Sequence, residues 1–411
     1  MSEKPEAISP KTLLVGAGVV GQAILRAHLD AEVPVCLIDQ DESRLQDAMS
    51  AAQLPSDRWS IRRVRPLGDR IPMVHFSHVG PVAGEPSYDV VIESISERIE
   101  VKQSLFVDLE RWLNADALLC TNTSTLRITK LAASLEHPHR FCGMHFFMPV
   151  YNRPAVEVAR GERTSEETID RCANHVRRLR KEPLVVRDGP GFIVNRLLTP
   201  YLNEAMLLLC RGVSAERIER AALQYGMPMS PLELIDWIGT RTMFDAGRVF
   251  WQSFPSRIRP AAMLAALVKS KRYGRACGAG LYDYGAGRRS EEIPSPVIEM
   301  VDRYRRDEVA MSDDDVRDVL AIPMWVEAAI ACRDGVVQSS DELDLAMRGG
   351  LGYAPEQSWL GFFDRLGSPA ILSSIRRWSE LTPAITAPSE LIDQLGKLPP
   401  RRALESFAEE G

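Results

Sequence analysis

Apolar and polar positions follow two textures along this chain. In the first, short apolar runs occupy residues 12–16, 33–39, 73–79, 89–95, 117–121, 141–147, 154–158 and 184–187. Between them, helical spacing appears over 19–30, from about Asp41 onward, and over 97–113, 126–135 and 165–181. Strands alternating with helices predict a largely parallel, doubly wound α/β sheet. The runs at 154–158 and 184–187 are expected as antiparallel additions. From about residue 190 the texture changes. Helical patterns punctuated by Gly and Pro take over, and strand signals nearly vanish. An all-α region is expected there.

The helical half carries an internal repeat. Leu-Leu-Thr-Pro-Tyr-Leu-Asn-Glu-Ala (197–205) matches Leu-Ala-Ile-Pro-Met-Trp-Val-Glu-Ala (320–328). Pro200, Glu204, Ala205, Gly212 and Val213 recur 123 residues later as Pro323, Glu327, Ala328, Gly335 and Val336. Further on, residues 234–239 match 362–367, with Asp236 facing Asp364 and Gly239 facing Gly367. Two amphipathic helices resemble each other by chance in apolar spacing, but matched Pro, Gly and Asp positions carry no amphipathic signal. Residues 284–296 read as an exposed connector between the copies. The expected organisation is a dinucleotide-binding domain over 1–190, a helical domain over 191–290, and a second, degenerate copy over 291–411.

Composition bounds the function. The 411 residues exceed one ordinary core, and 45% hydrophobic with 26% charged is usual for a globular protein. A net charge of −6 argues against a general nucleic-acid binder, which shows a basic face. The seven cysteines are scattered, with no Cys-x-x-Cys pair and no zinc-site spacing. They read as buried thiols of a reducing, cytoplasmic protein, with no metal expected. Met1 to Lys11 is polar and lacks a signal-peptide apolar core, and no run approaches about 18 uninterrupted apolar residues, so no membrane span is expected.

Gly16-Ala17-Gly18-Val19-Val20-Gly21 fits G-x-G-x-x-G between a strand and a helix. Gly16 allows the tight turn, Gly18 lets backbone approach a pyrophosphate, and Gly21 lets helix pack on strand. The helix N-terminus then presents free N–H groups to the phosphates. Asp39 ends the next strand, where a carboxylate accepts hydrogen bonds from a ribose 2′-OH and repels a 2′-phosphate. NAD is therefore the expected cofactor. As an alternative, Asp39 reads as a turn or helix-cap acid.

His145 lies in the run 140–150, downstream of this loop. Oxidising a secondary alcohol by hydride loss requires that the hydroxyl proton also leave, and histidine suits that transfer in both directions. Glu157 is a lone acid in an apolar strand, costly to bury unpaired. Pairing with His145 removes that cost and supplies a partner for the imidazolium. A lone His otherwise reads as a hydrogen-bonded core histidine. Glu93 and Asn122, with Ser124 just beyond, close predicted strands, where an open sheet places its ligand crevice. Turn and capping chemistry is the competing reading for these loops. Lys102 also reads as a solvated helical lysine.

These pieces, as an ordered set, resemble the L-3-hydroxyacyl-CoA dehydrogenase family. The matching segments are 16–21, 91–93 through 102–103, 121–124, 144–147, 156–158, 188–196 and 226–231. The resemblance implies a Rossmann-type domain followed by helical domains, and two helical copies are similar to the dehydrogenase half of bacterial multifunctional β-oxidation alpha subunits. The hydratase half of those subunits has no counterpart in this sequence. By resemblance, His145 is the general base and Glu157 its carboxylate partner. Ser124 and Asn195 hold the substrate oxygen. Asp39 binds the adenosine ribose, and Glu93 and Lys102 are part of the nicotinamide-side lining; Asn122, at its strand end, is also expected to bind the cofactor. The implied reaction is the reversible oxidation of an L-3-hydroxyacyl-CoA.

Two departures bear on substrate choice. The family has Asn-Pro after His-Phe-Phe, where this chain has Met148-Pro149, and a family lysine is missing from 274–282. Arg62, Arg63 and Arg65 suit a CoA phosphate by charge and equally suit an exposed basic run. A carrier-protein-bound hydroxyacyl group, a non-CoA hydroxy acid and a non-catalytic NAD-binding role stand as alternatives. The second copy has Asp318 where the first has Asn195, so one active site per chain is expected. The chain is then a monomer resembling a pseudo-dimer, or else a homodimer.

Overall fold

The computed structural model describes residues 11–53, 59–67, 69–76, 88–306, 308–354 and 356–410. It divides into two compact units, Met1–Asp188 and Gly189–Gly411.

Among the described residues, the first unit holds a nine-stranded sheet. Its strands are β1 (Thr12–Val15), β2 (Val35–Ile38), β3 (Trp59–Leu67), β4 (Asp69–Phe76), β5 (Val90–Glu93), β6 (Leu118–Thr121), β7 (Phe141–Phe146), β8 (Ala155–Arg160) and β9 (Glu182–Arg187). The helices are α1 (Val19–Asp30), α2 (Glu42–Ala51), α3 (Ile99–Trp112), the short α4 (Ile128–Leu131) and α5 (Glu166–Arg178). The order is β3-β4-β2-β1-β5-β6-β7-β8-β9, with β2, β1, β5, β6 and β7 parallel. Each of β1, β2, β5 and β6 is buried at every position. That explains their continuous apolar runs: a parallel strand covered on both faces has no polar side to alternate with.

The chain moves from β1 to β2 on one side and later returns to β5 on the other. This reversal is the topological switch point, where open α/β sheets bind ligands beyond the strand C-termini. Register brings those ends level: Val15 faces both Ile38 and Glu93, Glu93 faces Thr121, and Thr121 faces Gly143.

Two expectations need correction. The strand expected at 73–79 runs over 69–76, and it follows β3, which the apolar pattern missed. Arginines 62, 63 and 65 and Pro66 hid the strand alternation; β3 is an edge strand, where proline is tolerated. The side chains of those arginines lie outside the described residues. Both late strands run against β7, but β9 pairs with β8 in parallel.

The second unit contains α6 (Val194–Cys210), α7 (Ala215–Tyr225), α8 (Pro231–Ile238), α9 (Thr240–Ser253), α10 (Ala262–Lys269), α11 (Ser295–Arg303), α12 (Asp313–Arg333), α13 (Ser340–Leu345), α14 (Trp359–Leu366), α15 (Ser368–Trp378), α16 (Ser389–Leu395) and α17 (Pro400–Glu409). The expected connector opens with a small hairpin, β10 (Tyr284–Gly285) paired with β11 (Arg288–Arg289). The core is α6 packed against α12. Both are buried nearly all round, which marks central rather than surface helices. Each carries a proline inside, Pro200 and Pro323, and each is followed by a left-handed glycine, Gly212 and Gly335. No helix among the described residues is long and apolar enough to cross a membrane.

Candidate active site

The glycine loop leaves β1 at Gly16, whose φ of +107° suits glycine. A Cβ there would lie 2.5 Å from the Ser94 carbonyl oxygen, and one at Gly21 would lie 2.0 Å from the Gly16 carbonyl oxygen. Protein packing thus accounts for both glycines. Gly18 is different. Its φ of −70° is open to any residue, and a Cβ there would meet nothing within 4 Å. Close approach by a bound group explains this glycine where packing does not. Val19 beside it is 76% exposed at the helix start, and Val20 is half-buried. These features fit a dinucleotide pyrophosphate at the N-terminus of α1.

Asp39 follows β2 directly, and its side chain reaches the same loop. One carboxylate oxygen accepts the Ala17 N–H at 2.8 Å and the other accepts the Asp41 N–H at 2.9 Å. The acid therefore shapes the glycine loop.

Glu93 and Lys102, expected to line the crevice, are instead buried against each other at 0% and 1% exposure. Lys102 Nζ lies 2.6 Å from Glu93 Oε1, which also accepts the Ile95 N–H at 2.6 Å, while Thr121 donates to Oε2 at 2.6 Å. The pair fastens the ends of β5 and β6. The group that reaches the next loop is Glu97, whose chemistry the sequence reading missed. Its Oε1 accepts Thr123 Oγ1 at 2.5 Å, the Ser124 N–H at 3.1 Å, and the Thr125 N–H and Oγ1 at 3.3 and 3.1 Å. Burial works against this carboxylate, but the Lys102 ammonium and those donors outweigh it and hold its pKa below the ordinary value. Its partners lie 26 to 28 residues away, so no local pattern announces it.

Ser124 is therefore held by its own loop's contacts to Glu97. A second carboxylate, Asp188, accepts the Ile128 and Thr129 N–H groups at 3.0 and 2.9 Å and pairs with Arg127 at 3.1 Å. Asn122 bridges strand ends: its Oδ1 accepts the Phe146 N–H at 2.8 Å, and its Nδ2 approaches Ser94 Oγ at 3.4 Å.

His145 and Glu157 are directly opposed across the antiparallel β7–β8 pair, so their side chains leave the same face. His145 Nδ1 lies 2.6 Å from Glu157 Oε2, and Glu157 is fully buried. Donation from Nδ1–H to the carboxylate leaves Nε2 as the proton acceptor. Phe147 packs edge-on against the imidazole, with centroids 4.8 Å apart. Met148 is 45% exposed, and the Met148–Pro149 peptide is cis. Asn195 belongs to the second unit, in the first turn of α6.

The scattered cysteines converge in part. Cys120, Cys142 and Cys172 bring three Sγ atoms within 4.8 Å of one another. They lie on the sheet face opposite His145, because Cys142 and His145 are an odd number of positions apart on β7. Burial pushes the Cys120 and Cys172 thiols well up.

Comparison with known proteins gives the following. Residues 11–189 match the 3-hydroxyacyl-CoA dehydrogenase NAD-binding domain, and residues 191–284 match the 3-hydroxyacyl-CoA dehydrogenase C-terminal domain. A fatty acid oxidation complex subunit alpha from Pseudomonas entomophila is 30% identical over 391 residues, which are 92% of this chain and 54% of that protein. The chain thus spans about half the length of the curated relatives it matches. The crystal structure of (S)-3-hydroxybutyryl-CoA dehydrogenase from Ralstonia eutropha is 30% identical with a TM-score of 0.57, covering 67% of this chain and all of that one. For 3-hydroxybutyryl-CoA dehydrogenase from Escherichia coli K12 the TM-score is 0.73 at 24% identity, over 97% of this chain and 99% of that one, which shows the shared fold.

Proposed function

The chain belongs to the 3-hydroxyacyl-CoA dehydrogenase family, and on that premise we propose that it catalyses the reversible NAD-dependent oxidation of an L-3-hydroxyacyl-CoA to the 3-ketoacyl-CoA, as in fatty-acid β-oxidation. The observation that carries this reading is the His145–Glu157 hydrogen bond at the end of β7. His145 Nε2 takes the substrate hydroxyl proton, and the Glu157 carboxylate stabilises the imidazolium and fixes its tautomer. Ser124, on the loop clamped by Glu97, and Asn195 hold the substrate oxygen. Gly16, Gly18, Val19, Val20, Gly21 and Asp39 hold the cofactor, with Glu93, Lys102 and Asn122 supporting the nicotinamide side. NAD, when bound, accepts the hydride.

Met148 stands exposed where the family has a polar residue, and this supports a second reading, a different acyl carrier or a non-CoA hydroxy acid. The purified chain should oxidise NADH with acetoacetyl-CoA, and His145→Ala and Glu157→Gln should lose that activity while retaining NADH binding. Turnover of the pantetheine analogue or of carbohydrate acids, with none of acetoacetyl-CoA, would favour the second reading. Inactivity towards all of them with NADH still bound would favour a non-catalytic role.

The helical unit is proposed to carry two copies of one domain, over 191–290 and 291–411. Support comes from the paired features of α6 and α12 and from Gly239 and Gly367, which take φ of 94° and 82° between α8 and α9 and between α14 and α15. Because α12 covers α6 within the chain, a monomer resembling a pseudo-dimer is proposed. A tight dimer in sedimentation, buried through the 197–240 surface, would refute it. All seven cysteines are free thiols, in keeping with the proposed cytoplasmic location.

A further inference from the structure

The first turn of α6 is joined to the residue before it by the Leu197 N–H bond to the Ile193 carbonyl at 3.0 Å. Ile193, the residue before it, offers no capping side chain. Pro200 lacks the N–H that would reach back to the Arg196 carbonyl. Thr199 Oγ1 gives a bond to the Asn195 carbonyl at 2.7 Å, within the turn itself. A tether from outside the helix is the side chain of Arg196. Its guanidinium is 2% exposed and meets two carboxylates from the α12 segment: Nε donates to Glu327, and Nη2 to Asp334 at 2.6 Å. The Phe254 ring lies 4.9 Å from it, and Arg257, over the same ring, also donates to Glu327 at 3.1 Å. A rigid planar fork gripped at two of its nitrogens from different residues is restrained in rotation and tilt.

The matching position in α12 carries no such clamp. There Asp318 and Val319 replace Asn195 and Arg196, and Val319 is buried and apolar. That turn is tied through Asp318 itself, which accepts from Arg317 at 2.7 Å and from Ser374 at 2.6 Å, whereas the asparagine-bearing turn is held through the neighbouring arginine, gripped by two carboxylates.

We propose that Glu327 and Asp334 are positioning residues for substrate binding: by gripping Arg196 they fix the turn that presents Asn195. This assigns the second helical segment a specific task beyond covering α6. It rests on the reading of Asn195 as a substrate-holding group.

The test is steady-state kinetics of the full chain with acetoacetyl-CoA and NADH. Asn195→Ala is measured first. No change in KM for acetoacetyl-CoA would sink the underlying reading, whatever Glu327 does. If KM rises, Glu327→Gln should raise it about tenfold, the scale of one weakened charge-assisted hydrogen bond. NADH affinity should stay unchanged. In Asn195→Ala/Glu327→Gln the second change should add little, because coupled residues are non-additive. An apolar replacement, Arg196→Met/Glu327→Leu, separates stability from positioning, since buried ion pairs often exchange for apolar residues without loss of stability. It should fold, keep NADH binding, and still show the raised KM. It also carries the test if Glu327→Gln alone does not fold. Fully additive losses, or an apolar pair with the wild-type KM, would overturn the proposal.

Discussion

Two buried charge pairs of the first unit differ from the clamp of the second. In the first unit the partners are near in sequence: Glu93 and Lys102 are 9 residues apart, and His145 and Glu157 are 12 apart. In the second, Arg196 reaches Glu327 and Asp334 across 131 and 138 residues, and Arg257 reaches Glu327 across 70. A pair set by one strand connection or one strand-to-helix turn assembles with its local element and serves one spot. A pair set by packing of distant helices forms only when those helices dock, and it ties them together. On this view, damage to the first kind removes a local function, while damage to the second alters whatever the docked helices position.

The sharpest break in this comparison is His145→Ala. Its kcat with acetoacetyl-CoA should fall by about 10²- to 10⁴-fold, the range of a positioned acid–base group. NADH affinity should change little, while thermal stability falls, because the fully buried Glu157 carboxylate loses the imidazole. A variant that keeps near-normal turnover would show that this local pair is structural.

Next comes Lys102→Met, which leaves the Glu93 carboxylate buried without its partner. Chemical denaturation should show a loss of about 3–5 kcal/mol, as for other broken buried pairs. A loss under about 1 kcal/mol would mean that the Ile95 and Thr121 donors hold Glu93 without help.

Acidity should separate the units. Buried His28 contacts His175 through Nε2 atoms 3.1 Å apart in the first unit. Burial lowers the His28 pKa from 6.5 to about 4, against the Ile24 carbonyl bond, and burial lowers that of His175 too. Between those values the unfolded chain binds the extra proton, so stability falls as pH drops from about 6.5 to about 4. His28 alone contributes a loss on the order of 3 kcal/mol. Glu204, in the core of the second unit, runs the other way. Burial raises its pKa from 4.5 to about 7, against the Thr382 hydroxyl, Arg211 and Asn203. Between 4.5 and 7 the folded state holds the extra proton, so stability falls as pH rises, again by roughly 3 kcal/mol. Hydrogen-exchange protection should therefore weaken in α1 and α5 in acid and in α6 toward neutrality. Parallel loss in both units at either end would contradict the assignment.

The smallest expected effect is at Gly18. Gly18→Ala should weaken NADH binding about tenfold, or 1.4 kcal/mol, while stability moves by less than about 0.5 kcal/mol. Gly21→Ala, whose Cβ would press on the Gly16 carbonyl oxygen, should cost about 1–3 kcal/mol of stability. Equal losses of stability in both would mean that Gly18 too is fixed by the fold.

The first unit was largely legible because its signals are local. Continuous apolar runs marked the parallel strands, the glycine spacing marked the turn after β1, and a lone acid in an apolar strand pointed to a buried partner. Where charge and proline broke the pattern, as in β3, the same reasoning failed. Nor did it show that Glu93 and Lys102 pair with each other. A carboxylate at a strand end and a lysine on the next helix look alike whether they face a ligand or each other.

Periodicity and short spacing are enough to mark the strand-and-helix alternation, the nucleotide loop and the acid–base candidates, since both act before any long-range contact. Tertiary structure alone decided that Glu97 clamps the Ser124 loop, that Cys120, Cys142 and Cys172 converge, and that Arg196 is gripped by Glu327 and Asp334. Each of those arrangements joins groups distant along the chain. Their proximity is set by how strands and helices pack, and side-chain identity alone carries no record of it.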